Sequence, residues 1–267
     1  MSDAMAEALI DPRDSKGRSP AIERAARILQ LLESMPQRGF SAAEIAKALG
    51  IPKSTTLNIC GEMLAVQLIR RSNDGFQLGR RLVQLGAAYV NSVDIIRAFY
   101  SACRSLPPEM HCLVQLAVLN EELDAVYLAR HDNQSGLQLG LRAEVGRRTP
   151  ANCSGIGKAL LASLPPYDLE KRIAHLRSLP TLTERSISRP EALREELARI
   201  RERGYATDDE EVLPGISCVA TSTRTNDRED GLIAVSITGQ KADLTPAIED
   251  LRRRSLFEIV SRLQAQI

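Results

Sequence analysis

The apolar positions along this chain change period several times, and each change marks an element. Between Ser19-Pro20 and Pro36, Ile22, Ala25, Ala26, Ile28, Leu29 and Leu32 recur at three- and four-residue steps, which predicts a helix. A second, short helix follows from Ser41 to Leu49. Ser41 is placed to cap it, Glu44 completes a capping-box spacing, and Ile45, Ala46 and Leu49 form its inner stripe. Gly50 ends it, and Pro52 suits the start of a third helix that keeps Leu57, Cys60, Met63 and Leu64 for burial. From Leu68 to Leu78 the pattern is that of two short strands about Asn73-Asp74-Gly75, a hairpin.

Three helices and a hairpin between residues 20 and 78 predict a winged helix-turn-helix. The opening turn of the third helix offers Lys53, Ser54, Thr55, Thr56 and Asn58. Short hydrogen-bonding side chains with one cation are what a DNA major groove requires of a recognition helix. Arg70 and Arg71 on the hairpin are candidate phosphate contacts. An ordinary helical hairpin would show the same two-helix pattern, so the hairpin of strands that follows is what favours double-stranded DNA as partner.

Residues 79–106 read as one long linker helix, with Leu82, Leu85, Ala88, Tyr89, Ile95, Ile96 and Phe99 at helical steps before Pro107-Pro108. Such a helix serves as a dimer or signalling connector, as packing against a second domain, or as both. Beyond it the period falls to two. Cys112–Leu119, Leu123–Arg130, Leu137–Leu141, Tyr205–Asp208, Ser217–Thr223 and Gly231–Gly239 read as strands. Helices are predicted over Ser154–Leu164, Pro166–Leu176, Pro190–Arg203 and from Thr245 to the end. Interleaved in this way, they indicate an α+β domain with a largely antiparallel sheet over residues 107–267.

Composition narrows the partners. Lys+Arg number 35 against Asp+Glu 34, a formal charge of +1, so DNA affinity must come from a local patch. Arg18, Arg24, Arg27, Lys47 and Arg80 join Lys53, Arg70 and Arg71 as candidates for it. Aromatics are 3% and tryptophan is absent, which argues against a stacking platform for single strands. Five cysteines at irregular spacing and three scattered histidines form neither a disulfide framework nor a metal site, and a reducing cytoplasm fits them. No membrane span or signal-peptide core is evident, and residues 1–19 read as a disordered leader. No cofactor is expected.

Two segments of the second domain carry chemistry. Cys153–Leu161 places small residues before a helix, so that the N–H groups of Gly155, Ile156 and Gly157 lie at the positive end of its dipole, where a carboxylate or phosphate is well served. Glycine there also serves simply to turn the chain. On the Gly231–Gly239 strand, alternation sets Ile233, Val235 and Ile237 on one face and Ala234, Ser236 and Thr238 on the other. The two hydroxyls suit a small polar ligand or a solvated sheet face. A thiol-dependent hydrolase using Cys153 or Cys218 with His111 or His175 is the alternative. It requires a base to lower a thiol pKa, and no cysteine has a histidine nearby in sequence.

The chain resembles the IclR family of bacterial transcriptional regulators from about Pro20 to its end. The resemblance is carried by Ala25–Leu29, Gly50–Thr55, Phe76–Gly79, Val145–Pro150, Ser154–Ala162, Arg203–Glu211, Gly215–Ala220 and Ala234–Gly239, in order. It implies a winged helix-turn-helix, a linker helix and a GAF-like effector-binding domain, assembled as a homodimer or dimer of dimers. It implies no enzyme activity, but a cytoplasmic repressor of a catabolic operon controlled by a small organic acid or aldehyde. The family's effector pocket maps to Gly155, Ile156, Asp208, Cys218, Ser236 and Thr238. With few aromatics to stack on a ring, an aliphatic carboxylate or semialdehyde is the expected effector. Departures from the family pattern are Asn58, where many members have Arg; Gln67, where many have Gly; Thr221-Ser-Thr, where an apolar, Pro-containing run is usual; and the polar Asn226–Asp230 loop.

Overall fold

A computed structural model describes residues 19–92, 94–108, 110–133, 145–225 and 231–265. The chain divides into two compact units, Met1–Tyr89 and Val90–Ile267.

The first unit holds α1 (Pro20–Ser34), α2 (Ala42–Leu49), α3 (Lys53–Ala65) and the wing strands β1 (Ile69–Ser72) and β2 (Gly75–Leu78). The capping box is formed: Glu44 N–H donates to Ser41 Oγ, and the Glu44 carboxylate accepts from the Ser41 N–H at 2.8 Å. Gly50 closes α2 in the left-handed region, φ 64°, as the sequence requires. Ile28, Leu32, Ile45, Cys60, Met63 and Ile69 build the core. Phe40 and Phe76 exchange backbone hydrogen bonds and so tie the loop before α2 to the wing.

The α3 register differs from the expected one. Leu57 points outward, 46% exposed, and Thr56 is fully buried in its place. Thr56 is tolerated there because its hydroxyl donates to the Pro52 carbonyl, 3.2 Å away, inside its own helix.

The helix expected over residues 79–106 is described as α4 (Arg81–Ser92) and α5 (Asp94–Cys103), on either side of residue 93, which lies outside the described residues. Their environments differ: Val83, Leu85 and Tyr89 of α4 are exposed, whereas Ile95, Ile96 and Phe99 of α5 are buried in the second unit's core.

That unit is built on a six-stranded antiparallel sheet in the order β5-β4-β3-β8-β7-β6. The strands are β3 (Leu113–Leu119), β4 (Asp124–Asp132), β5 (Arg148–Pro150), β6 (Ala206–Asp209), β7 (Ile216–Arg224) and β8 (Leu232–Gln240). Alternation on β8 decides what covers each face. Ile233, Val235 and Ile237 pack with α5 and α9 (Pro246–Gln264). Ala234 packs with α6 (Gly155–Ala162), behind which lie α7 (Pro166–Ile173) and α8 (Pro190–Arg203). The short β5 was not expected. The strand expected at Leu137–Leu141, the Asn226–Asp230 loop and residues 1–18 of the leader lie outside the described residues. Among the described residues, no helix is long and apolar enough to cross a membrane, and no group of three or more His, Cys, Asp or Glu is placed to hold a metal ion.

Candidate functional site

On the sheet face that carries α6, side chains from all six strands converge. Antiparallel register sets Asp208, Cys218 and Thr238 at directly paired positions on β6, β7 and β8, and pairs Gln115 of β3 with Ser236 of β8. The side chains of one such row point the same way. Together with Tyr127, Arg147, Thr149, Ser154, Ile156, Val212 and Ile216 they line a partly open cavity. Ser236 and Thr238 are buried, 1% and 5% exposed, which removes the solvated-face reading of these hydroxyls.

Five of the six expected pocket residues therefore line one cavity. The sixth, Gly155, lies behind it. A β-carbon at Gly155 would stand 2.6 Å from the Cys218 sulfur, so only glycine admits the thiol at this point. The Gly155 N–H donates to that sulfur, and the Gly157 N–H is taken by the Ser154 hydroxyl at 3.1 Å. The expected trio of free amides is thus reduced. Ile156, which lines the cavity, is the first-turn position left to serve a ligand.

The electrostatics are those of a buried acid in a donor-rich site. Burial, aided by the nearby Glu211 carboxylate, pushes the Asp208 carboxyl up to about 7, although it accepts hydrogen bonds from the Glu211 and Val212 N–H groups. Glu211 in turn pairs with the fully buried Lys158 of α6, and burial raises its pKa against the pull of that cation. Glu211 Oε2 is buried with no hydrogen-bond partner among the described residues. The Glu211 carbonyl accepts from Ser186 Oγ at 2.8 Å, which pins the loop after β6. Burial pushes the Tyr127 phenol up to about 12, and the Thr149 hydroxyl is bonded to it.

Sequence reasoning did not assign Gln115, Tyr127, Thr149, Lys158 or Glu211 to the site. Arg147 lay within the Val145–Pro150 motif without a role; it stands exposed at the cavity rim. Neither candidate nucleophile has an activating environment. Burial, then Asp208, raises the Cys218 thiol, and burial raises that of Cys153, whose sulfur donates to the Pro180 carbonyl at 3.2 Å.

In the first unit, Lys53, Ser54 and Asn58 are exposed on α3 and Thr55 is half-buried. Thr56 is the correction: a fully buried side chain cannot reach a base, and it leaves the set of candidate contacts. Arg70 and Arg71 are both exposed, but strand alternation turns them to opposite faces of the wing. Arg71 stacks on Phe76, its guanidinium 5.3 Å from the ring centre, and shares an open concavity with Leu57. Arg27 is structural, since its guanidinium donates to the Leu49 carbonyl at the end of α2.

Comparison with known proteins accounts for both units. Residues 21–72 match the model of the IclR helix-turn-helix domain, and residues 87–264 match that of the bacterial transcriptional regulator IclR C-terminal domain. The transcriptional repressor IclR of Escherichia coli (strain K12) is 29% identical over 243 residues, 86% of this chain and 88% of that protein. An IclR transcriptional regulator from Alicyclobacillus acidocaldarius superposes with a TM-score of 0.78 at 21% identity, over 93% of this chain and 99% of that one. An IclR homolog from Microbacterium hydrocarbonoxydans, solved in complex with 4-hydroxybenzoate, superposes with a TM-score of 0.71 at 23% identity, over 92% and 99% of the two chains.

Proposed function

Because the chain belongs to the IclR family of bacterial transcriptional regulators, we propose that it represses a catabolic operon and is released from its operator by a small carboxylate or semialdehyde. The observation that carries this reading is the cavity over β8. Ser236, Thr238, Gln115, Arg147 and the start of α6 offer donors to an anion, and Asp208 titrates near neutrality. In its protonated form Asp208 donates to a carboxylate; ionised, it accepts from a hydroxyl or a hydrated aldehyde. Cys218 adds a weak S–H donor.

Among the described residues that line the cavity, the only aromatic ring is Tyr127, whose buried hydroxyl is engaged with Thr149. That supports an aliphatic rather than an aromatic effector. The Microbacterium homolog binds an aromatic acid, and what such a ligand shares with the effector proposed here is the carboxylate.

Lys53, Ser54, Thr55 and Asn58, with Arg70 and Arg71 on the wing, are the proposed operator contacts. Asn58 is suited to bidentate reading of adenine. Val83, Leu85 and Tyr89 on α4 and Ile22 on α1 are large apolar side chains left exposed, which supports assembly through this surface into a homodimer or dimer of dimers on a two-fold operator. A cytoplasmic site of action follows from DNA as partner.

A thermal-shift panel of small acids and aldehydes tests the effector class. Short aliphatic acids or semialdehydes are expected to raise the melting temperature of the chain; stabilisation by aromatic acids alone would overturn the assignment.

A further inference from the structure

Leu57 is the residue of α3 whose placement departs most from its sequence pattern: with Thr56, Cys60 and Met63 turned inward, it is left 46% exposed. A single exposed leucine is ordinary; its neighbours make this one informative. At 100° per residue, Ser54, Leu57, Asn58 and Gly61 share one side of the helix, and all four are exposed. Leu57 also borders the concavity that holds Arg71, and Lys53 begins the same helix, so cations flank it on two sides.

Gly61 is the second observation. Glycine inside a helix is destabilising relative to alanine. Here its backbone is not in the left-handed region, and a β-carbon would meet nothing within 4 Å. Among the described residues no contact explains it. What glycine supplies at such a position is a backbone that a partner can approach closely.

We propose that Leu57 is a base-reading residue: its side chain packs on the 5-methyl group of a thymine in the major groove, and Gly61 lets α3 lie close enough to the duplex for that contact. The proposal rests on the reading of α3 as the recognition helix. Thymine alone presents a methyl group in the major groove, and the adjacent Asn58 suits adenine, so the centre of each half-site is A·T. A methyl contact of this kind is worth about fourfold in affinity.

The test uses the full-length chain. Sites are selected from random duplexes with the wild type, and each thymine of the selected site is then replaced by deoxyuridine. Wild type is expected to lose about fourfold for one thymine per half-site. Leu57→Ala, folded with an unchanged melting temperature, should bind the thymine and uracil duplexes equally. Gly61→Ala should melt a few degrees higher yet bind the operator at least tenfold more weakly. Equal loss on uracil substitution in wild type and Leu57→Ala, or no thymine that matters, would overturn the role of Leu57. Undiminished binding by Gly61→Ala would overturn that of Gly61. Failure of the wild type to enrich any sequence would overturn the recognition-helix reading itself, and this proposal with it.

Discussion

Gly155 and Cys218 meet so closely that the sulfur occupies the space a side chain at 155 would need, 2.6 Å from the position of its β-carbon. The start of α6 is thereby seated against β7 at the floor of the cavity. Gly155→Ala is expected to destabilise the chain by about 1–3 kcal/mol through overpacking and to abolish thermal stabilisation by the effector. Adding Cys218→Ala should recover much of the lost stability, because it removes the atom that clashes. Calorimetry on the two single variants and the double variant checks this. Additive losses would show that the two residues do not interact in this way.

Lys158 and Glu211 form a buried ion pair beside the cavity. Removing the cation alone leaves a buried carboxylate uncompensated. Lys158→Met is therefore expected to cost about 3–5 kcal/mol, whereas Lys158→Met with Glu211→Leu should recover most of it. Melting temperatures of the wild type and both variants decide the matter; a double variant no more stable than the single one would contradict the pairing.

Asp208 makes stability and ligand binding depend on pH. Its pKa, about 7 in the folded chain, lies above the ordinary value of 3.8 because burial disfavours the charge. Between those values the folded state holds a proton that the unfolded state has lost, so this group's contribution to stability falls as pH rises from about 4 to 7. Asp208→Asn keeps the acceptor oxygen and removes the titration. The variant should therefore gain several degrees on the wild type at pH 8 and little at pH 4. A carboxylate effector should bind the wild type more tightly as pH falls through 7, since a nearby anion favours the protonated acid. The same difference in melting temperature at both pH values would refute the assignment.

Gln67 occupies the left-handed region at φ 61°, where a β-carbon is unfavourable and where many members of the family have glycine. Its side chain accepts from Arg80 Nε at 3.0 Å, which offsets part of that strain. Gln67→Gly is expected to stabilise the N-terminal unit by about 0.5–1 kcal/mol, seen calorimetrically as a melting transition a few degrees higher. A lower transition would mean that the Arg80 contact outweighs the strain.

What could be read in advance was local. Ser41, Glu44 and Gly50 specify α2 within ten residues, and Pro190 and Gly204 bound α8 in the same way. The α3 stripe was misplaced because Thr56 and Leu57 both fit a helical period with Cys60, and sequence does not reveal that a threonine can satisfy its hydroxyl on Pro52 and take the inward place. Alternation alone separated the two faces of β8. The other half of the cavity was hidden, since Gln115, and with it the β4 and β5 residues Tyr127 and Thr149, is brought beside β8 only by the pairing of β3 with that distant strand. Lys158 and Glu211 lie within the Ser154–Ala162 and Arg203–Glu211 motifs, yet an ion pair spanning 53 positions leaves no periodic trace.

In the proposed function, ligand binding in the β8 cavity is coupled to DNA binding by the α3 face. The direct measurement is the affinity of the full-length chain for its selected operator, with and without the acid that stabilises it most, in the wild type and in a Ser236→Ala, Thr238→Val variant. The effector is expected to weaken wild-type operator binding at least tenfold and to leave the variant unchanged, within the usual range of allosteric coupling. Wild-type affinity that does not respond to a bound effector would contradict the account.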